Sequence, residues 1–168
     1  DIQFKQDPRQ SIRERNWFGA DWNIFSLVID WKISAQTSLN VRNFAFTGNR
    51  GSVGDLSTAN KIDTLGNRDI QFDNYLNAGS ETRLLHNYDL GKMPSTILLG
   101  FRYYHGHTHR RQGLGTDGYD ADFAFNHPND LEGSDFTFPS SNAALFTENI
   151  FRIDSQLKII PGARFEYI

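Results

Sequence analysis

Residues 103–112 read YYHGHTHRRQ: His105, His107 and His109 recur at every second position and are followed by Arg110, Arg111 and Gln112. On an extended strand that spacing sets three imidazoles on one face. Such a row is a ligand set for a borderline metal such as zinc, a solvated cluster at a strand end, or part of a ligand-recognition lip. The arginines carry a different chemistry. Guanidinium forks grip carboxylates through paired hydrogen bonds and draw anions electrostatically, so Arg110, Arg111 and Gln112 suit an anionic ligand better than the histidines do. The competing reading pairs Arg110 and Arg111 with loop carboxylates such as Asp117 or Asp120. Arg50, inside GNRGSVGD, is a further candidate for anion contact.

The surrounding motifs carry less. GLGTDGYDAD (113–122) lacks the Lys-Ser/Thr step of a phosphate loop, and its aspartates do not match the spacing of an EF-hand. Turn chemistry accounts for its Gly and Asp residues, with calcium on Asp117, Asp120 and Asp122 as the alternative. His86 and His127 have no evident partner in the sequence. A hydrolase would need His105 or His109 as base, Asp117 to orient it, and Ser134, Ser140 or Ser141 as nucleophile. No motif ties these together, so no catalytic residue and no resident metal or cofactor is assigned.

The elements that must position these residues are strands. WNIFSLVIDW (22–31) alternates, with Phe25, Leu27, Ile29 and Trp31 opposite Ile24, Ser26, Val28 and Asp30. The same period of two runs through 38–47, 75–88, 96–108, 143–153 and 157–168, and no stretch has helical periodicity. Pro161 cannot donate to a ladder and marks a bulge or an early strand position. Short connections at 32–37, 89–95 and 154–156 alternate strictly with long ones at 48–74 and 109–142. Loops beyond about 12–15 residues are uncommon in compact soluble domains. Short turns on one side and long loops on the other are the rule in outer-membrane barrels. Arg42, Glu81, Arg83, Arg102, Glu148, Arg152, Arg164 and Glu166 share the polar face, as a barrel lumen requires. Trp31, Tyr88 and Phe151 mark one aromatic girdle, and Trp17, Trp22 and Tyr103 the other.

Composition agrees. The 168 residues carry a net charge of -3, fourteen Phe against one Met, and no Cys. That excludes a disulfide framework and a thiolate metal site, and no basic run points to nucleic acid. Mean hydropathy of -0.54 fits a soluble protein or a barrel whose every second residue is polar. No window suits a transmembrane helix, and the first residues contain no signal-peptide core. A soluble β-sandwich, using Trp17, Trp22 and Tyr119 as carbohydrate platforms, is the competing fold.

ALFTENIFRIDSQLKIIPGARFEYI (144–168) resembles the barrel hairpin of TonB-dependent outer-membrane receptors, and RLLHNYDLGKMPSTILLGFRYYHGHTHRRQG (83–113) resembles their ferric-dicitrate-type, Bacteroidetes-like branch. The resemblance covers most of residues 15–168. It implies an all-β, antiparallel transmembrane β-barrel segment, about six strands of a larger barrel, probably of 22, with short periplasmic turns and long extracellular loops. All of 1–168 then belongs to one barrel domain, with plug and remaining strands elsewhere. The implied function is energised uptake of an iron chelate such as ferric citrate across the outer membrane of a Gram-negative bacterium, without catalysis. Iron enters only as part of the cargo. The implied partners are the lipid bilayer, the TonB-ExbB-ExbD complex acting through the plug, and in some relatives a surface lipoprotein. Import of a glycan or another nutrient is the alternative within the same fold.

Overall fold

The computed structural model describes residues 2–8, 13–55 and 61–168. After a single helical turn, α1 (Ile2–Gln6), come β1 (Trp17–Lys32), β2 (Thr37–Gly54), β3 (Asp69–Leu90), β4 (Met93–Leu114), β5 (Ser134–Arg152), β6 (Lys158–Ile159) and β7 (Gly162–Tyr167). They form one seven-stranded sheet in the order β1-β2-β3-β4-β5-β6, with β7 also on β5. Connections as short as 91–92 only suit antiparallel hairpins. β6 and β7 are one ascending strand interrupted at Pro161: Phe151 faces Ile159, and Ala143 faces Tyr167. The Pro161 carbonyl accepts from the Asn149 N–H at 3.0 Å, so the proline sits at a break in the ladder, as its missing donor requires.

The expected alternation of short and long connections is present, but the strands outrun their hydrophobic patterns. β2 continues to Gly54, β3 begins at Asp69, β4 reaches Leu114 and β5 begins at Ser134. The long connections therefore shrink to 55–68 and 115–133. Arg50 and the run from His109 to Gln112, assigned to loops by sequence, lie on strands. A ladder needs only main-chain donors and acceptors, whereas alternation needs an apolar neighbour on one side. Where glycines and neighbouring polar residues interrupt the alternation, as in GNRG (48–51) and HRRQ (109–112), the strand continues.

Two compact units share these strands: residues 1–22, 48–75 and 108–137 form one, and 23–47, 76–107 and 138–168 the other. In the second unit hydrophobic burial is nearly absent. Ala144 is its single buried hydrophobic residue among those described, while Phe25, Leu27, Ile29 and Trp31 of β1, Leu99, Phe101 and Tyr103 of β4, and Leu145 of β5 are exposed. A sandwich would cover one face of such a sheet with a second layer. No second layer is present among the described residues, and the soluble-sandwich expectation fails on that ground. Of the first expected girdle Trp31 is exposed, but Tyr88 and Phe151 are half-buried. Tyr88 donates to Asn149 at 3.0 Å and stacks on His86, whose Nδ1 lies 2.8 Å from the Thr37 hydroxyl, so His86 does have partners.

The opposite face of this unit is charged and internally paired. Arg83 meets Glu81 at 2.6 Å, and Arg164 meets Glu166 at 3.1 Å. Arg102 lies over the Phe44 ring and Arg164 over Phe146. The Phe146 ring occupies the space where a side chain at Gly100 would stand. A Cβ there collides with the ring itself, so Gly100→Ala is expected to destabilise by about 1–3 kcal/mol through overpacking. Gly91, at φ 67 in the turn before β4, has open space, and the same substitution there meets only the left-handed backbone penalty of about 1 kcal/mol. Urea unfolding of the two variants separates steric from conformational cost.

The turns are closed by short polar side chains. The Ser34 hydroxyl accepts from the N–H groups of Gln36 and Thr37, and Asp154 accepts from those of Gln156 and Leu157. Those two N–H groups hold the Asp154 carboxyl below its ordinary pKa.

Candidate anion-binding site

In the first unit, side chains alternate across β2, β3 and β4 so that Arg50, Gln71, Asp73, Tyr75, Arg110 and Gln112 share one face. They converge on Asp73, whose side chain is wholly buried. Arg110 grips it with both fork nitrogens: Nε donates to one carboxylate oxygen at 2.7 Å and a terminal nitrogen to the other at 3.2 Å. Arg50 donates at 2.5 Å, Tyr75 at 3.0 Å and Gln71 at 3.3 Å. Gln112 donates to Gln71 at 3.0 Å, and the Ser134 hydroxyl donates to Gln112 at 2.8 Å. Asp73 lies ahead of the alternating run 75–88, and burial by itself pushes its carboxyl pKa up. Donors from Arg110, Arg50, Tyr75 and Gln71 outweigh that and hold it at about 2.

Two guanidiniums share one carboxylate, which leaves a formal charge of +1 on rigid strands. Both arginine side chains are about a third exposed above an anion that is not exposed at all. Asp73 thus sets the geometry, and the arginine edges it does not use face outward. Fixed guanidinium edges of this kind can offer hydrogen bonds and positive charge to an anion without first being ordered.

The sequence candidates divide between two faces. Arg50 and Arg110 come together on Asp73, and Gln112 joins them through Gln71. Arg110 pairs with this strand residue instead of Asp117 or Asp120, which serve other arginines. Arg111, next along the strand, projects to the opposite face, between Phe72 and Phe125. His105, His107 and His109 share that parity, so they lie away from the cluster. Gly106, between His105 and His107, faces Tyr104, Ser140 and Asn77 on the charged side. His105 Nδ1 lies 2.9 Å from the Ser141 hydroxyl, and His109 Nε2 lies 2.5 Å from Asp135. Among the described residues no group of three His, Asp or Glu side chains stands close enough to hold a metal ion. His127, without an evident partner in the sequence, meets Glu132 at 2.6 Å, and together with the Leu114 N–H it holds the Glu132 carboxyl at about 2.

Sequence reasoning missed Asp73, Gln71 and Tyr75. The available signal was parity: counting back by twos from Glu81 and Arg83 reaches all three. It also missed two fully buried arginines that organise the long connections. Arg15 donates to Asp63 at 2.9 Å and to the carbonyls of Gly66 and Asp117 at 3.0 and 2.8 Å. Arg68 donates to the carbonyls of Thr116 and Asp120. The aspartates at 117 and 120 are thereby engaged through their backbones, and Asp122 accepts from the Ala124 N–H at 2.9 Å, the turn chemistry expected of this run.

No protein-family model and no curated protein sequence matches the chain. Among solved structures it is similar to the crystal structure of ferric citrate transporter FecA in the unliganded form, with a TM-score of 0.72 and 19% identity. The likeness covers 98% of this chain and 23% of that one. The likeness is one of fold, an all-β antiparallel sheet such as the matched part of that structure, and the chain spans about a quarter of that protein's length. The narrower Bacteroidetes-like assignment has no support in this similarity.

Proposed function

We propose that the chain is part of an outer-membrane, TonB-dependent transporter barrel and helps to recognise an anionic iron chelate such as ferric citrate. The observation that carries this reading is a single-layer sheet, apolar and exposed on one face and charged on the other, alike over nearly its whole length to part of a ferric citrate transporter. Open edges and one greasy face suit strands completed by others into a closed wall in lipid. The task is recognition and passage, and no bond-making step is assigned. Arg50 and Arg110 supply the guanidiniums, Asp73 fixes their spacing, and Gln112 and Ser134 extend the polar surface. Energy coupling through TonB, ExbB and ExbD belongs to the same reading, as does an outer-membrane location.

Equilibrium titration of the detergent-solubilised protein with ferric citrate tests it. A charge-assisted hydrogen bond contributes about 1.5–3 kcal/mol, so Arg110→Gln is expected to weaken binding about tenfold or more. Arg50→Gln, which removes a single contact to Asp73, should act in the same direction, and raised salt should weaken the wild type. Absence of saturable binding, or unchanged affinity in both variants, refutes the chelate reading. Binding of a neutral oligosaccharide instead redirects it to the glycan importer.

A further inference from the structure

The cluster around Asp73 fixes the direction of every carboxamide in it as well as the position of two guanidiniums. An ionised carboxylate only accepts. Five donors reach the Asp73 oxygens, two from Arg110 and one each from Arg50, Tyr75 and Gln71. Gln71 therefore turns its amide nitrogen to Asp73, which leaves its carbonyl oxygen on the far side. That oxygen accepts from Gln112 Nε2 at 3.0 Å, so Gln112 is turned the same way. The Gln112 oxygen in turn accepts from the Ser134 hydroxyl at 2.8 Å. Rotating either carboxamide by half a turn sets oxygen against oxygen at one of these contacts, which loses a hydrogen bond and opposes lone pairs.

A carboxamide ordinarily serves either polarity, because it carries one oxygen and two N–H groups. Here both oxygens are engaged within the relay. One N–H on Gln71 and one on Gln112 remain without an acceptor among the described residues. Both side chains are half-buried, whereas the Asp73 carboxylate is not exposed at all and offers nothing outward. Beside the outward edges of Arg50 and Arg110 the two carboxamides thus add further donors, and that polarity is settled before any ligand arrives.

We propose that Asp73 orients Gln71 and Gln112 to meet a ligand as donors only, so that the site selects anions with bare oxygens over equally charged anions that carry a hydroxyl. The inference rests on the reading above, that this cluster meets an anion, and narrows the chemistry of that anion. Carboxylate or sulfate oxygens accept from every group on such a surface. A hydroxyl hydrogen placed among N–H groups opposes donor to donor and leaves one hydrogen bond unmade. Gln71 and Gln112 are the specificity-determining residues, and Asp73 positions them without itself touching the ligand.

Methyl sulfate and methyl phosphate differ in this one respect. At about pH 5, below the second phosphate pKa of about 6, both are monoanions of similar shape, and only methyl phosphate carries a hydroxyl. Equal charge cancels the pull of the arginines, so the ratio of the two affinities reports hydrogen-bond polarity. Ligand-detected NMR of the methyl protons, with the full chain in detergent, measures both. Methyl sulfate is expected to bind about tenfold more tightly, the effect of one hydrogen bond left unmade. Gln112→Met keeps the size, removes the N–H groups and should bring the ratio close to unity; Gln71→Met serves if that variant does not fold. Asp73→Asn, whose carboxamide donates as well as accepts, releases the relay and should also lower the ratio, a change that lost stability alone does not produce. Equal binding by the wild type, a preference for methyl phosphate, no binding of either ion, or an undiminished ratio in Gln112→Met overturns the proposal. Methyl sulfate binding that survives Arg110→Gln overturns it too, because the ion then sits elsewhere. Ferric citrate titrated in parallel separates the two levels. No chelate binding with the methyl sulfate preference intact refutes the chelate reading and leaves this inference standing, whereas Arg110-dependent chelate binding without the preference refutes this inference alone.

Discussion

Leu99→Arg is expected to lower the stability of the chain in a lipid environment by about 2–4 kcal/mol, the cost of a cation on the lipid side of a barrel at mid-depth. Leu99 is 46% exposed and lies in the middle of the apolar row that ends at Tyr103. In water such a replacement on an open surface changes stability by less than about 0.5 kcal/mol. The contrast makes the experiment decisive about what this face touches. A control is Arg83→Gln on the charged face, where a half-exposed pair with Glu81, which Arg102 also approaches, contributes about 1 kcal/mol. Urea unfolding in lipid vesicles reads both. A large loss for Leu99→Arg with a small one for Arg83→Gln supports a lipid-facing wall, and equal small losses place water on both faces.

The second large effect centres on Asp73. Asp73→Asn removes the charge that two guanidiniums share and leaves them beside each other uncompensated. Breaking a fully buried pair costs about 3–5 kcal/mol; both arginines here are about a third exposed, so about 2–3 kcal/mol is expected. The pH dependence has a definite sign. The Asp73 carboxyl is lowered from 3.8 to about 2 in the folded chain, so its contribution is complete above 3.8 and is lost as pH falls through about 2. Acid titration of stability should therefore show a fall in that window for the wild type that is missing in Asp73→Asn. If the two curves stay parallel down to pH 2, the carboxylate is not the keystone described here.

The legible part of this fold was the part with apolar neighbours. The middle of β4 alternates an exposed apolar row with a polar one, and the hairpins follow from connections too short for anything else. At the ends of β2 and β4 glycines and adjacent polar residues break the alternation, so Arg50 and Arg110 read as loop residues although they sit on a continuing ladder. The candidate site was legible in its cations and not in its anion. Arg110, Gln112 and Arg50 were identifiable by type, whereas Asp73 was marked only by its parity with Glu81 and Arg83, which places it on the polar face without naming its partners. Arg111 shows the limit of adjacency: two neighbouring arginines of the same chemistry face opposite ways, because a strand reverses its side at every residue. Arg15 and Arg68 left no trace because most of their acceptors are carbonyls, which every residue carries.

That choice of acceptor bears on how such a protein can change over evolutionary time. Arg15 and Arg68 hold the backbone of Gly66, Thr116, Asp117 and Asp120 in place, and Arg68 also donates to the Thr116 hydroxyl and the Asp120 carboxylate. Substitutions at Asp117, held through its carbonyl, can therefore alter what the segment presents to its surroundings while its path stays the same. Replacing either arginine removes the path itself. Mutational tolerance is concentrated in the segment and intolerance in two distant residues, so new specificities can be sampled without rebuilding the scaffold that displays them.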